Sequence, residues 1–211
     1  MPAPLPPAPL GYPMVAGAMD PSKPVHVLET YQDLICPFSK KMFTTLQDDV
    51  VPKLAGRNIQ ILLQPIPQPW HPQSPMLHEA AFAVFELLGN EAYFKMCRAI
   101  FDAIPGPFQD IDTFDKSRNQ IYRELADLAA QPAVFGASFP REKFLNLLTH
   151  QSPEGERNNG TAVTQRLKWH TKYHRVRGVH VSPTVFVNGQ EAGAVSSGWT
   201  GEQWMEFLSA L

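Results

Sequence analysis

The chain has 211 residues, which is enough to bury a substantial hydrophobic core without disulfides or metals. Hydrophobic residues make up 44% of it, and this excludes a chain that is disordered throughout. The net charge of -2 argues against a nucleic-acid partner, and no apolar run approaches the roughly 18 residues that would span a membrane. With 2 cysteines, the chain is not a disulfide scaffold.

Residues 1–23 form a proline-rich segment, which predicts an extended arm lying over the domain formed by residues 24–211. The segment lacks the basic start and the apolar centre of a signal peptide. We therefore expect a cytoplasmic protein whose cysteines stay reduced.

The first periodic part of the domain predicts a strand, a helix and a second strand. Residues 25–35 are rich in β-branched and aromatic residues, with apolar residues at both parities, as in a strand buried on both faces. Apolar residues then recur at helical spacing over residues 40–51, and Pro52 would end that helix. Residues 59–66 are again typical of a buried strand. The two strands of such a βαβ unit are expected to be parallel.

The middle of the chain has helical patterns, and its end returns to strand. A strand over residues 183–187 precedes Asn188-Gly189, a pair typical of a hairpin turn in which both residues need a positive φ. Residues 200–203 have the pattern of a capping box and predict a final helix. The order of elements predicts an α/β fold with an inserted helical lobe. The helices of that lobe are predicted over residues 75–88, 91–104, 113–129, 140–148 and 155–177.

Cys36 is the candidate nucleophile. Pro37 suits the first position of the helix, which places Cys36 at the N-cap, against unpaired backbone N–H groups and the positive end of the helix dipole. Both stabilise a thiolate, the reactive form of cysteine. Cys36 also follows a buried strand, where open α/β sheets place their functional crevice. The alternative interpretation is a buried and inert cysteine.

Two segments of the chain together resemble a known family. Asp33-Leu34-Ile35-Cys36-Pro37-Phe38-Ser39 follows the first strand, and residues 178–189 place Pro183 at the start of a later one. With a helical block between them, these segments resemble the thioredoxin superfamily and, within it, the DsbA-like branch. The resemblance implies a thioredoxin-like fold, whose core comprises about residues 24–70 and 178–211 and whose helical insert comprises about residues 75–177.

The resemblance also implies roles for individual residues. Cys36 corresponds to the nucleophilic cysteine of the family's Cys-x-x-Cys motif, and Pro183 to the cis-proline whose loop faces that cysteine. Ser182 corresponds to the residue that contacts peptide or thiol substrates. Pro37 and Phe38, inside the motif, are assigned to substrate binding as well.

Ser39 stands where the family has its second, resolving cysteine. A Cys-x-x-Ser motif cannot hold a disulfide within itself, so the sequence predicts a monothiol protein in which Cys36 forms mixed disulfides with glutathione or protein cysteines. Release then requires an outside thiol. Ser39 Oγ is expected to hydrogen-bond the Cys36 thiolate and stabilise it. Cys97 is either a resolving thiol contributed by the insert or, more commonly for such a residue, a core cysteine.

Trp70 and His71 follow the second parallel strand, so they should emerge at the same edge of the sheet as Cys36. There Trp70 would form a wall for a ligand, and His71 would influence the thiol. The alternative is a rigid, proline-rich connector whose tryptophan packs on the insert.

No metal site is expected, because His170 and His174 have a metal-compatible spacing but no third ligand is evident. No cofactor is predicted either, apart from glutathione as a co-substrate.

Three functions remain open from the sequence. The first is a monothiol thiol-disulfide oxidoreductase acting through Cys36. The second is a glutathione-dependent transferase or isomerase that resembles the kappa-class branch, although that branch typically has serine at the position of Cys36. The third is a non-catalytic module that binds a peptide in the groove beside Pro183, with Cys36 incidental.

Overall fold

The computed structural model describes residues 6, 10–14, 20, 22–150 and 157–211. Much of the predicted arm, residues 1–23, therefore lies outside the described residues. The described part of the chain contains a five-stranded sheet in the order β1-β3-β2-β4-β5. Its strands are β1 (Tyr12–Pro13), β2 (His26–Gln32), β3 (Ile59–Pro65), β4 (Thr184–Val187) and β5 (Gln190–Glu191).

Seven α-helices accompany the sheet in the described ranges. The first continues into a π-helical turn at Leu46–Val50 and a 3-10 turn at Val51–Lys53. None of the helices in these ranges combines the length and the apolar character needed to cross a lipid bilayer. The helices are α1 (Pro37–Thr45), α2 (Ser74–Asp102), α3 (Asp110–Thr113), α4 (Arg118–Ala129), α5 (Arg141–Leu148), α6 (Thr164–Val176) and α7 (Gly201–Ser209).

The predicted βαβ unit is confirmed, because β2 and β3 pair in parallel and α1 lies between them in the chain. The prediction of a strand up to residue 35 is wrong, since β2 ends at Gln32. The cause is a turn over residues 33–36, in which Cys36 N donates a hydrogen bond to Asp33 O over 3.1 Å. This turn carries the chain from the end of β2 to the start of α1.

The predicted hairpin is also confirmed. Asn188 and Gly189, which join β4 to β5, have φ angles of 49° and 85°, as a type I′ turn requires. β4 pairs antiparallel with β2, and Thr184 at its start lies opposite Tyr31 near the end of β2. This register brings the residues that precede β4 to the edge of the sheet where α1 begins.

In the described ranges, two large hydrophobic cores and one small cluster, formed by Tyr31, Ile66, Val179 and Phe186, support the fold. One packs α1 and α7 against the sheet and includes Trp204, whose helix begins with the predicted capping box formed by Thr200 and Gln203. The other fills the helical lobe formed by α2–α6. Its largest buried side chains include Phe82, Tyr93, Phe101, Tyr122 and Phe144.

The helices of the lobe differ from the predicted ones in where they begin and end. The predicted break near residue 89 is confirmed, because Gly89 inside α2 has φ 83° and ψ -171°. The prediction of a single helix over residues 113–129 is wrong. Ser117 and Gln120 form a capping box, so α4 begins as a separate helix after the short α3. The helix predicted over residues 155–177 is shorter, Thr164–Val176, and its first two predicted residues lie outside the described residues.

The strand β1 has no counterpart among the predicted elements. It lies within the proline-rich segment, yet Tyr12 pairs with Leu63 of β3 in an antiparallel ladder. Tyr12 is buried, and its ring stacks on Tyr93 of the helical lobe with 3.9 Å between the ring centroids. Part of the predicted arm therefore belongs to the sheet and to the core of the lobe.

Candidate active site

Cys36 lies at the junction between the end of β2 and the start of α1. Its φ and ψ of -74° and 123° are those of an N-cap residue, and Pro37 occupies the first helical position, as predicted. The side chain is 7% exposed. Its Sγ–H group donates a hydrogen bond over 3.6 Å to Ser182 O, which belongs to a segment 146 residues away. The fold thus joins the two segments that the sequence singles out.

The peptide bond between Ser182 and Pro183 is cis. Thr184, the next residue, begins β4, and its hydroxyl donates to Val181 O over 2.7 Å. The loop carrying Ser182 O is therefore anchored by a strand at one end and by a side-chain hydrogen bond within it. This anchoring holds a backbone acceptor against the thiol.

Ser39 is fully buried one turn into α1. Its Oγ accepts a hydrogen bond from Asp33 N over 3.3 Å. Within the described ranges it forms no hydrogen bond with Cys36 Sγ, so the structure places the hydroxyl against the turn and not against the thiol.

A buried carboxylate that the sequence analysis did not single out for a role organises this turn. Asp33 is fully buried, and its Oδ1 accepts hydrogen bonds from Ser74 Oγ and from Ile35 N, the latter over 3.4 Å. Its Oδ2 accepts from Gln68 N over 3.1 Å. His78 Nε2 lies 3.6 Å from Oδ1. One carboxylate thus connects the Cys36 turn, the loop after β3 and the start of α2.

His78 completes this connection from the first two turns of α2. Its Nε2 accepts a hydrogen bond from Leu34 N over 3.4 Å, while its Nδ1 is buried without a partner in the described residues. No local sequence signal points to this role, because the segment around His78 predicts a helix and nothing more specific. Asp33, by contrast, lies within the motif that contains Cys36, at the end of a segment predicted to be buried. Because burying an unpaired acid is costly, an aspartate there indicates that other groups bind its carboxylate.

His71 lies on the same edge of the sheet as the thiol, whereas Trp70 is largely exposed, at 56%. Together with Ile35 and Pro37, which flank Cys36, His71 lines a cavity of about 290 Å³. Its Nδ1 is 3.0 Å from Oδ1 of Asp110, at the start of α3. The structure thus brings His71, but not Trp70, to a cavity beside the nucleophile.

Exposed apolar side chains stand near the thiol. Phe38 is 63% exposed two residues after Cys36, and Val181 is 57% exposed directly before Ser182. Ile111, on the wall of the cavity that His71 lines, is 87% exposed. Apolar groups of this size on a surface often mark the place where another molecule binds.

Cys97 and the histidine pair of α6 belong to the interior of the lobe. Cys97 is fully buried in the lobe core, and this burial raises the pKa of its thiol well above the ordinary value. His170 and His174 are both buried. In the described part of the chain, no group of three or more histidine, cysteine, aspartate or glutamate side chains is arranged to hold a metal ion.

Searches with the sequence find no relative, since no family model and no curated protein matches it. The fold, however, is similar to that of several solved proteins. A provisionally assigned protein-disulfide isomerase from Pseudomonas syringae is 25% identical, with a TM-score of 0.68 over 87% of this chain and 93% of its own.

Two further solved structures have lower identity. The thiol-disulfide oxidoreductase MdbA from Actinomyces oris is 17% identical, with a TM-score of 0.59 over 89% of this chain and 81% of its own. Oxidised BdbD from Bacillus subtilis is 14% identical, with a TM-score of 0.61 over 88% and 86%. At these identities the likeness concerns the fold. The chain has the thioredoxin-like α/β fold of the DsbA-like thiol-disulfide oxidoreductases.

Proposed function

We propose that the protein carries out thiol–disulfide exchange with Cys36 as its one reactive cysteine. The observation that carries this proposal is the contact of Cys36 Sγ with Ser182 O, beside Pro183, at the N-terminus of α1. A helix N-terminus presents backbone N–H groups and the positive end of the helix dipole to the side chain at its N-cap. The fold shared with the protein from Pseudomonas syringae, whose provisional assignment is to disulfide chemistry, supports the same proposal.

The reaction proceeds through a mixed disulfide. The Cys36 thiolate attacks one sulfur of a substrate disulfide, and the other sulfur leaves as a thiolate that takes a proton from water. Because residue 39 is serine and Cys97 is enclosed in the lobe core, no second thiol of the chain is at hand to displace the adduct. An outside thiol then attacks the substrate sulfur, forms a new disulfide with it and releases the Cys36 thiolate.

The surroundings of the thiol favour protein cysteines as substrates, with glutathione as the releasing thiol. Phe38, Val181 and Ile111 offer apolar contacts that suit the side chains of a polypeptide better than the polar groups of glutathione. A cytoplasmic location, which we include in the proposal, would supply reduced glutathione. The reaction as written uses no metal and no bound cofactor.

Intact mass after exposure of the reduced protein to oxidised glutathione tests the proposal. We expect one glutathione adduct on the wild-type chain and none on Cys36→Ser. Cys97→Ser is the matched control, because it removes the other cysteine of the chain and should leave the adduct unchanged. Exchange with a glutathionylated peptide should follow the same order among the three proteins.

Two results would point to the other candidate functions. Absence of any adduct on the folded wild-type chain would refute the exchange reaction and favour a peptide-binding module. Conjugation of glutathione to an electrophile at a rate unchanged by Cys36→Ser would instead favour a transferase.

A further inference from the structure

The cavity beside Cys36 has one wall that the exchange reaction described above does not use. Ile35 and Pro37, which flank Cys36 in the chain, form one part of its lining, and His71, Gln109 and Asp110 form another. The volume of about 290 Å³ is enough for a small molecule such as a thiol to enter. A thiol that enters this cavity meets the imidazole of His71 across from the two residues that flank Cys36.

His71 is held by a carboxylate in the way that an acid–base histidine requires. Its Nδ1 lies 3.0 Å from Oδ1 and 3.3 Å from Oδ2 of Asp110. An ionised carboxylate only accepts hydrogen bonds, so Nδ1 carries the proton and donates it. In the neutral ring Nε2 is then the acceptor, and within the described residues it has no hydrogen-bond partner.

Asp110 is itself fixed. Gln73 Nε2 donates to Asp110 Oδ1 over 2.9 Å and to Phe108 O over 2.8 Å. Partial burial raises the pKa of the Asp110 carboxyl, but the hydrogen bonds from Gln73 and His71 lower it by more, so that the pKa lies below its ordinary value. The carboxylate therefore stays ionised and keeps the ring of His71 in one orientation.

We propose that His71, oriented by Asp110, is the general base that activates the outside thiol when the mixed disulfide on Cys36 is released. The inference rests on the proposed exchange reaction. The thiol gives its proton to His71 Nε2 while its sulfur attacks the substrate sulfur. The disulfide bond to Cys36 breaks, its electron pair leaves on Cys36 as a thiolate, and a new disulfide forms outside the protein. The imidazolium then returns the proton to water.

The charged neighbours of His71 are consistent with this role. Asp110 from α3 is the anion that faces the ring and stabilises the imidazolium. Lys40 of α1 is turned elsewhere, since its Nζ donates to Ile104 O over 2.6 Å. Besides Asp110, two titratable groups directly adjoin lining residues of the cavity in the chain. One is Cys36, which is in disulfide linkage during the step, and the other is Asp112, a second acidic residue of α3.

Loss of glutathione from the Cys36 adduct after addition of reduced glutathione, followed by intact mass, measures this step. A free thiol has a pKa of about 8.5, so at about pH 7 it is mostly protonated and benefits from a base. At about pH 9 it is mostly a thiolate already and needs a base much less. For His71→Gln we expect release to be at least about tenfold slower near about pH 7, with a difference below about twofold near about pH 9. Asp110→Asn should show the same pH pattern with a smaller loss.

His150→Gln, at an exposed histidine of the lobe, is the matched control and should follow the wild-type profile. Equal slowing of His71→Gln at all pH values would mean that His71 only shapes the cavity and would overturn the inference. Release at the wild-type rate across the pH range would overturn it too. A wild-type chain that forms no adduct with oxidised glutathione would instead refute the exchange reaction itself, before His71 is tested.

Discussion

The two cysteines of the chain lie in regions that differ in almost every chemical respect. Cys36 is at a helix N-cap, where its own side chain makes no capping hydrogen bond and its thiol contacts a backbone oxygen of another loop. Cys97 lies in the C-terminal half of α2, where the backbone groups of the helix are already paired, and it is enclosed by the core of the lobe. Burial opposes its ionisation and raises its pKa.

This comparison shows that the degree of burial alone does not determine which of two thiols is the more reactive. Cys36 at 7% exposed and Cys97 at 0% would both count as buried. What separates them is position: Cys36 stands at a helix N-terminus in contact with a second loop, whereas Cys97 lies inside a helix in the core of the lobe.

Alkylation of the native protein with iodoacetamide should separate the two thiols most strongly. We expect Cys36 to react at least about 100-fold faster than Cys97, because Cys97 is reached only when the lobe core opens. Peptide mapping of the alkylated sites measures both rates. In denaturing guanidinium chloride the two rates should become similar, and similar rates in the native protein would contradict the comparison.

Asp33→Ala should destabilise the turn that presents Cys36. The change leaves the buried donors Ser74 Oγ and Gln68 N without their acceptor, and such losses amount to about 3–5 kcal/mol in the free energy of unfolding. Urea unfolding measures the cost. Asp115→Ala, at an exposed aspartate of the lobe, is the control and should change the free energy by less than about 0.5 kcal/mol. Similar costs for both variants would show that the network does not stabilise the turn.

The parts of this site that can be read from the sequence are those with local signals. The N-cap position of Cys36 follows from Pro37 and from helical spacing, and the hairpin follows from Asn188-Gly189, whose φ angles need no distant partner. For the same reason the fold class can be inferred from the order of strands and helices, which the structure confirms.

The rest depends on contacts between distant segments. Asp33 acquires its role through contacts with Ser74 and His78 on α2, and His71 acquires its role through Asp110 on α3. No spacing in the sequence predicts these pairs. The strand β1 is hidden for a similar reason, because Tyr12 lies among prolines and joins the sheet only through β3 and the lobe core.

Acid should destabilise the lobe that contains Cys97. Burial lowers the pKa of His170 from 6.5 to about 3, with His78 and Arg166 adding to the effect. Between about pH 6.5 and about pH 3, His170 is therefore protonated in the unfolded chain but neutral in the folded chain. Lowering the pH through this range favours unfolding. At about pH 5 this one group lowers the free energy of unfolding by about 2 kcal/mol.

The matched variant for this effect is His170→Phe. Phenylalanine keeps an aromatic ring between Tyr12 and Phe82, whose centroids lie 5.6 Å and 5.7 Å from that of His170. Urea unfolding at about pH 7.5 and at about pH 5 measures how much free energy of unfolding each protein loses on acidification. This loss should be about 2 kcal/mol smaller for the variant than for the wild-type chain. An equal loss in both proteins would assign the acid sensitivity to other groups, such as His174, whose pKa burial also lowers.

Ser39→Ala should have the smallest effect and decides between two roles for the hydroxyl. If Ser39 Oγ stabilised the thiolate, as the motif suggests, its removal would slow formation of the glutathione adduct. The structure places it on Asp33 N instead, so we expect a cost of about 1 kcal/mol in the free energy of unfolding and an almost unchanged rate of adduct formation. The rate comes from intact mass, and a large loss of rate without loss of stability would restore the catalytic role. Because the Cys36 turn is also held by Asp33 through other partners, the loss of this one bond leaves the thiol in place.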